Sequence, residues 1–230
     1  MTTHPPIVPA IHDAHLLPAL ESMVRYAEQF HRRGWLLGTS GSLSVCHGRA
    51  PLKMTITVSG KDKGALTPWD FLTVTDQRKV FAALADPKAS SEAYYKGDAR
   101  PSGETLVHKA VYDAVPDAQA ICHTHSVAGT LCSQLVAPGE SLVMSGLEML
   151  KGLGHWEETP LPIPVVYNDR DIPALAELVK QAALTSSAPG VLVAGHGIYV
   201  WGPDLERAKR HTEIFEFLFE YEVRRRAVGL

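Results

Sequence analysis

Two histidines one residue apart, in Ala120-Ile121-Cys122-His123-Thr124-His125-Ser126, are the residues of this chain best placed to do chemistry. An apolar run leads into them and predicts a buried strand that ends there. Side chains alternate along a strand, so His123 and His125 are expected on one face, where two imidazoles can hold two corners of a divalent metal site. A third, His196, stands in Gly195-His196-Gly197, after the predicted strand 191–194. A histidine between two glycines at a strand end suits a ligand better than it suits core packing. Three imidazoles leave a coordination position open for water or substrate, which is the pattern of catalytic rather than structural sites. Zn²⁺ is the default ion for such a set, and Fe²⁺, Mn²⁺ or Co²⁺ can also fill it.

Three further stretches suit an anion. Gly38-Thr39-Ser40-Gly41-Ser42-Leu43-Ser44 is a hydroxyl-rich loop running into a strand. Glycines let a backbone approach an anion closely, and hydroxyls and amides donate to it. Ser59-Gly60-Lys61-Asp62-Lys63-Gly64 follows the predicted strand 55–58 and carries a cation, Lys61, that can meet a phosphate as a point charge. Pro101-Ser102-Gly103-Glu104 opens a predicted helix through Ala114, with free amides and the positive dipole end at its start. Each stretch by itself also reads as an ordinary turn, and Glu104 as an ordinary dipole-compensating residue. Together with the histidines they suggest a phosphorylated small molecule with an oxygen on the metal. A Lewis acid beside a carbonyl favours proton abstraction next to a ketone, so a sugar phosphate fits. Glu148, in Glu148-Met149-Leu150-Lys151-Gly152, is unremarkable by its local sequence.

The elements that must hold these residues follow from periodicity. A helix is predicted over 13–33 and stopped by Gly34; Thr67-Pro68-Trp69-Asp70 reads as a helix start with Thr67 as N-cap. Strands are predicted at 71–74, near Val80-Phe81, and at 118–124, 160–166 and 198–201. Ser126 is expected to cap a helix to about Leu135. A helix from Asp171 to about Leu184 should bury Ala174, Leu175, Leu178 and Ala182, and a last helix runs from about 204 to 226. Residues 85–101 are polar and irregular, a long loop or a lid. The chain has 230 residues, 45% of them hydrophobic and 20% charged, with a formal net charge of -3, which suits one globular domain over 11–230 after a loose tail over 1–10. No long basic run points to nucleic acid, and no apolar stretch is long enough to span a membrane. Residues 1–10 have no apolar core of a signal peptide, and three cysteines without CxxC spacing read as reduced thiols, so a cytoplasmic protein is expected.

The order of these motifs, from Gly38-Thr39-Ser40-Gly41 through Ser59-Gly60, Ser102-Gly103-Glu104 and His123-Thr124-His125 to Gly195-His196-Gly197, resembles the class II aldolase/adducin superfamily across nearly the whole chain. The narrower segments 59–68, 148–152 and 196–202 resemble its methylthioribulose-1-phosphate dehydratase branch, a lyase of methionine salvage. The resemblance implies a single-domain α/β/α sandwich with a central, largely antiparallel sheet, and a homotetramer with sites near subunit interfaces. It implies His123, His125 and His196 as metal ligands. Ser40, Gly41, Ser42, Ser59, Gly60, Lys61, Ser102 and Gly103 would line the phosphate pocket. Glu148 matches that branch's dehydratase acid/base, and Glu104 the glutamate that aldolase relatives keep near the metal. Ser42 stands where the family usually has Asn, and the usual basic residue shortly after this loop is replaced by Cys46-His47. The rival activities on the same fold are a sugar-phosphate aldolase and a 4-epimerase; adducin-like members should lack the metal ligands that this chain keeps.

Overall fold

A computed structural model describes residues 7–76, 80–86, 99–156 and 158–229. Its strands are β1 (Ile7–Pro9), β2 (Ser42–Arg49), β3 (Leu52–Thr57), β4 (Phe71–Thr75), β5 (Ala120–Thr124), β6 (Ser141–Met144), β7 (Leu161–Val166), β8 (Gly190–Val193) and β9 (Gly197–Gly202). They form one nine-stranded sheet in the order β1-β4-β3-β2-β5-β9-β8-β7-β6. Every neighbouring pair is antiparallel except β7 and β8, so the sheet is largely antiparallel, as expected.

The helices are α1 (Leu17–Arg32), α2 (Val80–Ala85), α3 (Thr105–Ala114), α4 (Val127–Cys132), α5 (Ile172–Thr185) and α6 (Leu205–Ala227). Helices α2, α3 and α5 cover one face of the sheet, where Val107, Val111, Leu175 and Val179 pack on Met54, Ile56, Ile121 and Val191. Helix α1 covers Leu43, Val45 and Cys122 on the other face, and α4 and α6 cover Leu192, Ile198 and Val200 beside it. With both faces covered, a central strand must be apolar throughout, and Val191-Leu192-Val193 is.

The structure moves several boundaries. The expected loose tail over 1–10 is shorter, because Ile7–Pro9 pairs with β4 as an edge strand and Ile7 is buried. Thr67-Pro68-Trp69-Asp70 does not start a helix. Asp70 Oδ2 accepts from the Thr67 amide (2.9 Å) and hydroxyl (2.8 Å), closing a turn that feeds β4 directly. The acid at the end of the motif therefore does the capping, the reverse of an N-cap. Val80-Phe81 opens helix α2 rather than a strand. Helix α4 stops at Cys132, short of Leu135. In α5 the buried set is Leu175, Ala176, Val179 and Ala183, with Leu178 on the outside. Apolar residues extend past the buried face of that helix on both sides, so periodicity alone leaves its facing open by about one residue. Most of the expected lid, residues 87–98, lies outside the described residues.

Helix α6 starts on an Asp204 cap, whose Oδ1 accepts from the Arg207 amide, and buries Glu216 against the end of β5. Glu216 Oε1 accepts the Thr124 hydroxyl at 2.8 Å. Burial pushes the Glu216 carboxyl up to about 7, against the pull of the Ser126 and Thr124 hydroxyls. The folded state thus prefers the neutral acid. Its contribution is favourable below the ordinary carboxyl range near 4.5 and is lost as pH rises toward 7. Glu216→Gln stays neutral at every pH and keeps an oxygen for Thr124. Across pH 5 to 8 the variant should gain on wild type by up to about 3 kcal/mol in chemical denaturation. An unchanged difference between the two pH values would contradict this.

Candidate metal centre and anion cradle

Strand β5 ends the apolar core with His123, which pairs in register with Ser42 on one side and Tyr199 on the other. One residue past the strand, the His125 amide donates to Trp35 O (2.8 Å), which holds the extended geometry beyond the last ladder pair. The turn between β8 and β9 brings in His196. A Cβ at Gly197 would stand 2.1 Å from Thr124 O, so only glycine lets this turn lie against the end of β5. The three rings have centroids 4.4 to 5.0 Å apart, and one nitrogen from each lies within 4.8 Å of the others. All three candidate ligands thus meet at one point.

Protonation can be worked out from the partners. His123 Nδ1 faces Ile198 O at 3.0 Å, and a carbonyl only accepts, so Nδ1 carries the hydrogen and Nε2 is bare. That bare Nε2 lies 2.7 Å from His125 Nε2. Burial holds His123 well below the usual imidazole range, helped by the neighbouring His125 and His196 charges. Burial also lowers His125, to about 4, with His196 and Lys63 adding to it, and lowers His196. Neutral imidazoles, each with one bare nitrogen to offer, are what a divalent cation requires. The Tyr199 ring stacks on His123, 4.0 Å away and 6° from parallel, and fixes its plane.

Glu104 joins this cluster. It sits just before α3, makes no cap bond, and places Oε2 3.4 Å from His123 Nε2 and Oε1 3.6 Å from His196 Nε2. Its carboxyl thus faces the histidines from the N-terminal end of α3. Oε2 is shielded from solvent without a hydrogen-bond partner, and burial pushes the carboxyl up to about 7. Glu148 is elsewhere: it opens the 3₁₀ turn Glu148–Leu153, with its side chain 74% exposed and paired with Lys151. That lysine holds its carboxyl below the usual range.

The three anion-friendly stretches converge beside the histidines. A Cβ at Gly41 would meet His123 O at 2.6 Å, so the first loop leans on the end of β5. The Ser59 amide donates to Arg100 O (2.8 Å) and the Ser102 amide to Thr57 O (3.0 Å), which ties the second stretch to the third. Ser59, Gly60 and Gly103 are exposed there, and Ser40 and Gly41 half-buried. The Ser40 hydroxyl donates to Leu37 O, and Ser102 Oγ accepts the Glu104 amide. Ser42 departs from expectation. Its side chain is fully buried and bonds His108 Nε2 at 2.8 Å, so the hydroxyl points into the core and not into the cradle. His108 Nδ1 in turn meets Ser44 Oγ (2.7 Å), which meets Tyr112 OH (2.8 Å). Lys61 is exposed, with Nζ 3.2 Å from Asp70 Oδ1. The buried cation of this turn is Lys63, which sequence reasoning passed over. Its Nζ donates to Thr39 O (3.0 Å) and Lys61 O (2.9 Å). The available signal was Asp62, whose Oδ1 caps Gly64 and turns the next residue inward.

Two outcomes test this assembly. Metal analysis after Co²⁺ or Zn²⁺ loading should find one ion per chain in wild type and none in His123→Ala or His196→Ala. Gly197→Ala should lose about 3 kcal/mol of stability in chemical denaturation, as overpacking against a fixed backbone does, and lose the ion with it.

Comparison with known proteins agrees with the geometry. The family described as Class II Aldolase and Adducin N-terminal domain matches residues 21–223. A methylthioribulose-1-phosphate dehydratase of Microcystis aeruginosa is 40% identical over 205 residues, covering 88% of this chain and 93% of that protein. One from Yersinia enterocolitica is 39% identical over 199 residues, covering 84% and 86%. Among solved structures, YgbL of Escherichia coli, titled a putative aldolase/epimerase/decarboxylase, superposes with a TM-score of 0.69 at 25% identity, covering 88% of this chain and 87% of that one. The L-fuculose-1-phosphate aldolase of Thermus thermophilus shares the fold, with a TM-score of 0.67 at 23% identity over 91% and 96% of the two chains. With its sheet, histidine cluster and sequence all in accord, the chain belongs to the class II aldolase and adducin family and groups with its methylthioribulose-1-phosphate dehydratases.

Proposed function

We propose that this protein is a lyase that removes water from 5-methylthioribulose 1-phosphate to give 5-methylthio-2,3-dioxopentyl phosphate, a step of methionine salvage. The observation that carries this is the meeting of three neutral imidazoles and Glu104 with three linked stretches of the kind that suits an anion. The relatives named as dehydratases support the substrate. His123, His125 and His196 would hold a divalent cation, with Zn²⁺ the first candidate for three imidazoles. Such a cation supplies a Lewis acid to the substrate's carbonyl and hydroxyl oxygens. The backbone of Gly41, Gly60 and Gly103 and the hydroxyls of Ser59 and Ser102 would receive the phosphate, joined by Ser40 once its hydroxyl turns from Leu37 O.

Glu148 serves as the acid/base. Its carboxylate takes the C3 proton, and the same carboxyl returns a proton to the C4 hydroxyl as that leaves as water; ketonisation completes the diketone. Among the described residues Lys151 is the one recorded polar partner of Glu148, and the side chain is exposed in its own chain. The role therefore needs a neighbouring copy to present Glu148 to the cluster, in keeping with a homotetramer whose sites lie near subunit interfaces. Packing there would also desolvate the carboxylate and make it a stronger base than Lys151 leaves it in the single chain. Glu104 stays beside His123 and His196 and orients them.

The direct test gives metal-loaded protein 5-methylthioribulose 1-phosphate and follows the product by mass spectrometry. A product lighter by one water, absent with His123→Ala, is expected. Cleavage to dihydroxyacetone phosphate and an aldehyde, or inversion at C4, would assign an aldolase or an epimerase instead. A second experiment addresses Glu148. Glu148→Gln should lower kcat by about 100-fold or more, the usual worth of a general acid/base. Mixing Glu148→Gln and His123→Ala subunits should restore part of the activity; two inactive parents that stay inactive when mixed would place Glu148 outside a neighbour's site.

A further inference from the structure

Lys63 is the residue of this region that the proposed chemistry leaves unused, and its surroundings are unusual for a lysine. It is 1% exposed, the one fully buried lysine among the described residues. Removing an ammonium from water costs several kcal/mol unless its donors and its charge are both satisfied. An ammonium has three N–H donors. Two go to backbone carbonyls, Thr39 O at 3.0 Å and Lys61 O at 2.9 Å. Among the described residues no carboxylate makes ion-pair contact with it. The two acids nearest in sequence act on it only from a distance: Asp62 Oδ1 accepts the Gly64 amide, and Asp70 meets Thr67 and the Lys61 ammonium. A buried cation with a donor to spare and no contacting counter-ion is a site for an anion.

Its position gives the anion a place. Thr39 belongs to the loop that leans on His123 through Gly41, and Lys61 to the turn tied by Ser59 and Thr57 to the Arg100–Ser102 stretch. One ammonium thus bridges two loops that are 22 residues apart in the chain, with their exposed glycines on either side. Lys61 is a poorer candidate, since its side chain is 59% exposed and already paired. We propose that Lys63 both closes the cradle, by holding the Thr39 and Lys61 carbonyls together, and supplies the buried positive charge that binds the phosphate group of the substrate. This rests on the reading that the cradle takes a phosphate monoester.

Inorganic phosphate is the probe, titrated calorimetrically into the metal-loaded protein. Lys63→Gln removes the charge but keeps an amide that can donate to the same carbonyls. It should weaken phosphate binding by about tenfold or more, the worth of one hydrogen bond to a charged group. On the substrate, Lys63→Gln should raise KM with kcat within a few-fold, and Lys63→Arg should regain part of the affinity. A folded, metal-replete Lys63→Gln protein that binds phosphate like wild type overturns the proposal and leaves Lys63 a strut. Should the variants not fold, wild type answers: the ¹⁵N signal of its slowly exchanging, buried lysine ammonium should shift as phosphate saturates, and a signal that stays put overturns the proposal equally. Because phosphate binding is read without turnover, failure to dehydrate methylthioribulose phosphate would strike the assigned reaction and leave this result standing.

Discussion

The hydrogen bond from His123 Nδ1 to the carbonyl of Ile198 constrains everything around it. It commits the ring's one hydrogen to the neighbouring strand and leaves Nε2 bare, facing a second imidazole nitrogen at 2.7 Å. A neutral His125 carrying its hydrogen on Nε2 donates across that distance, and a cation bound there would take the place of that hydrogen. Burial works against charging any of the three rings, so each keeps one bare nitrogen to offer. A cation held by all three satisfies the geometry and the electrostatics together. The Glu104 carboxylate, with a shielded oxygen that has no other partner, adds a negative group to the same point.

Strand β5 passes this constraint to both layers of the molecule. His123 faces the α3 side with Ser42 and Tyr199, its ladder partners. Thr124, one residue on, faces the other way and gives its hydroxyl to Glu216 of α6. The centre is therefore clamped from both faces of the sheet at consecutive residues. Behind it the buried chain Ser42, His108, Ser44 and Tyr112 satisfies its own donors and acceptors, with His108 kept neutral by burial that lowers it to about 3. A satisfied polar row of this kind holds β2 against α3, while the Tyr199 hydroxyl beside it is buried without a partner.

The ligand set was legible because its signals are local: an HxH at the end of an apolar run, and a histidine between glycines. The sheet's elements were legible for the same reason, apart from the short edges β1 and β6. What escaped depends on orientation. Ser42 and Ser44 share a parity opposite to Leu43 and Val45, and which parity faces the cradle follows only from the pairing of β2 with β5. Lys61 and Lys63 also share a strand-like spacing, yet the Asp62 cap sends one outward and the other inward. Thr67 and Asp70 form a capping pair in either direction, and the strand that follows decides which. Glu148 was legible as a motif residue but not as an exposed one, since exposure depends on what packs against it.

Sheet order and chain order run differently here, and that bears on how the protein is made. The central strands are β2, β5 and β9, drawn from the early, middle and late parts of the chain. His123 and His125 leave the ribosome long before His196, and the Glu216 support follows later still. Until then β5 has only one of its two ladder partners, and its ending has neither the Gly197 turn nor the α6 carboxylate against it. A half-made chain can present a two-histidine pair but not the three-sided centre. A centre that needs all three histidines is therefore complete only when the β8–β9 turn has closed on the end of β5.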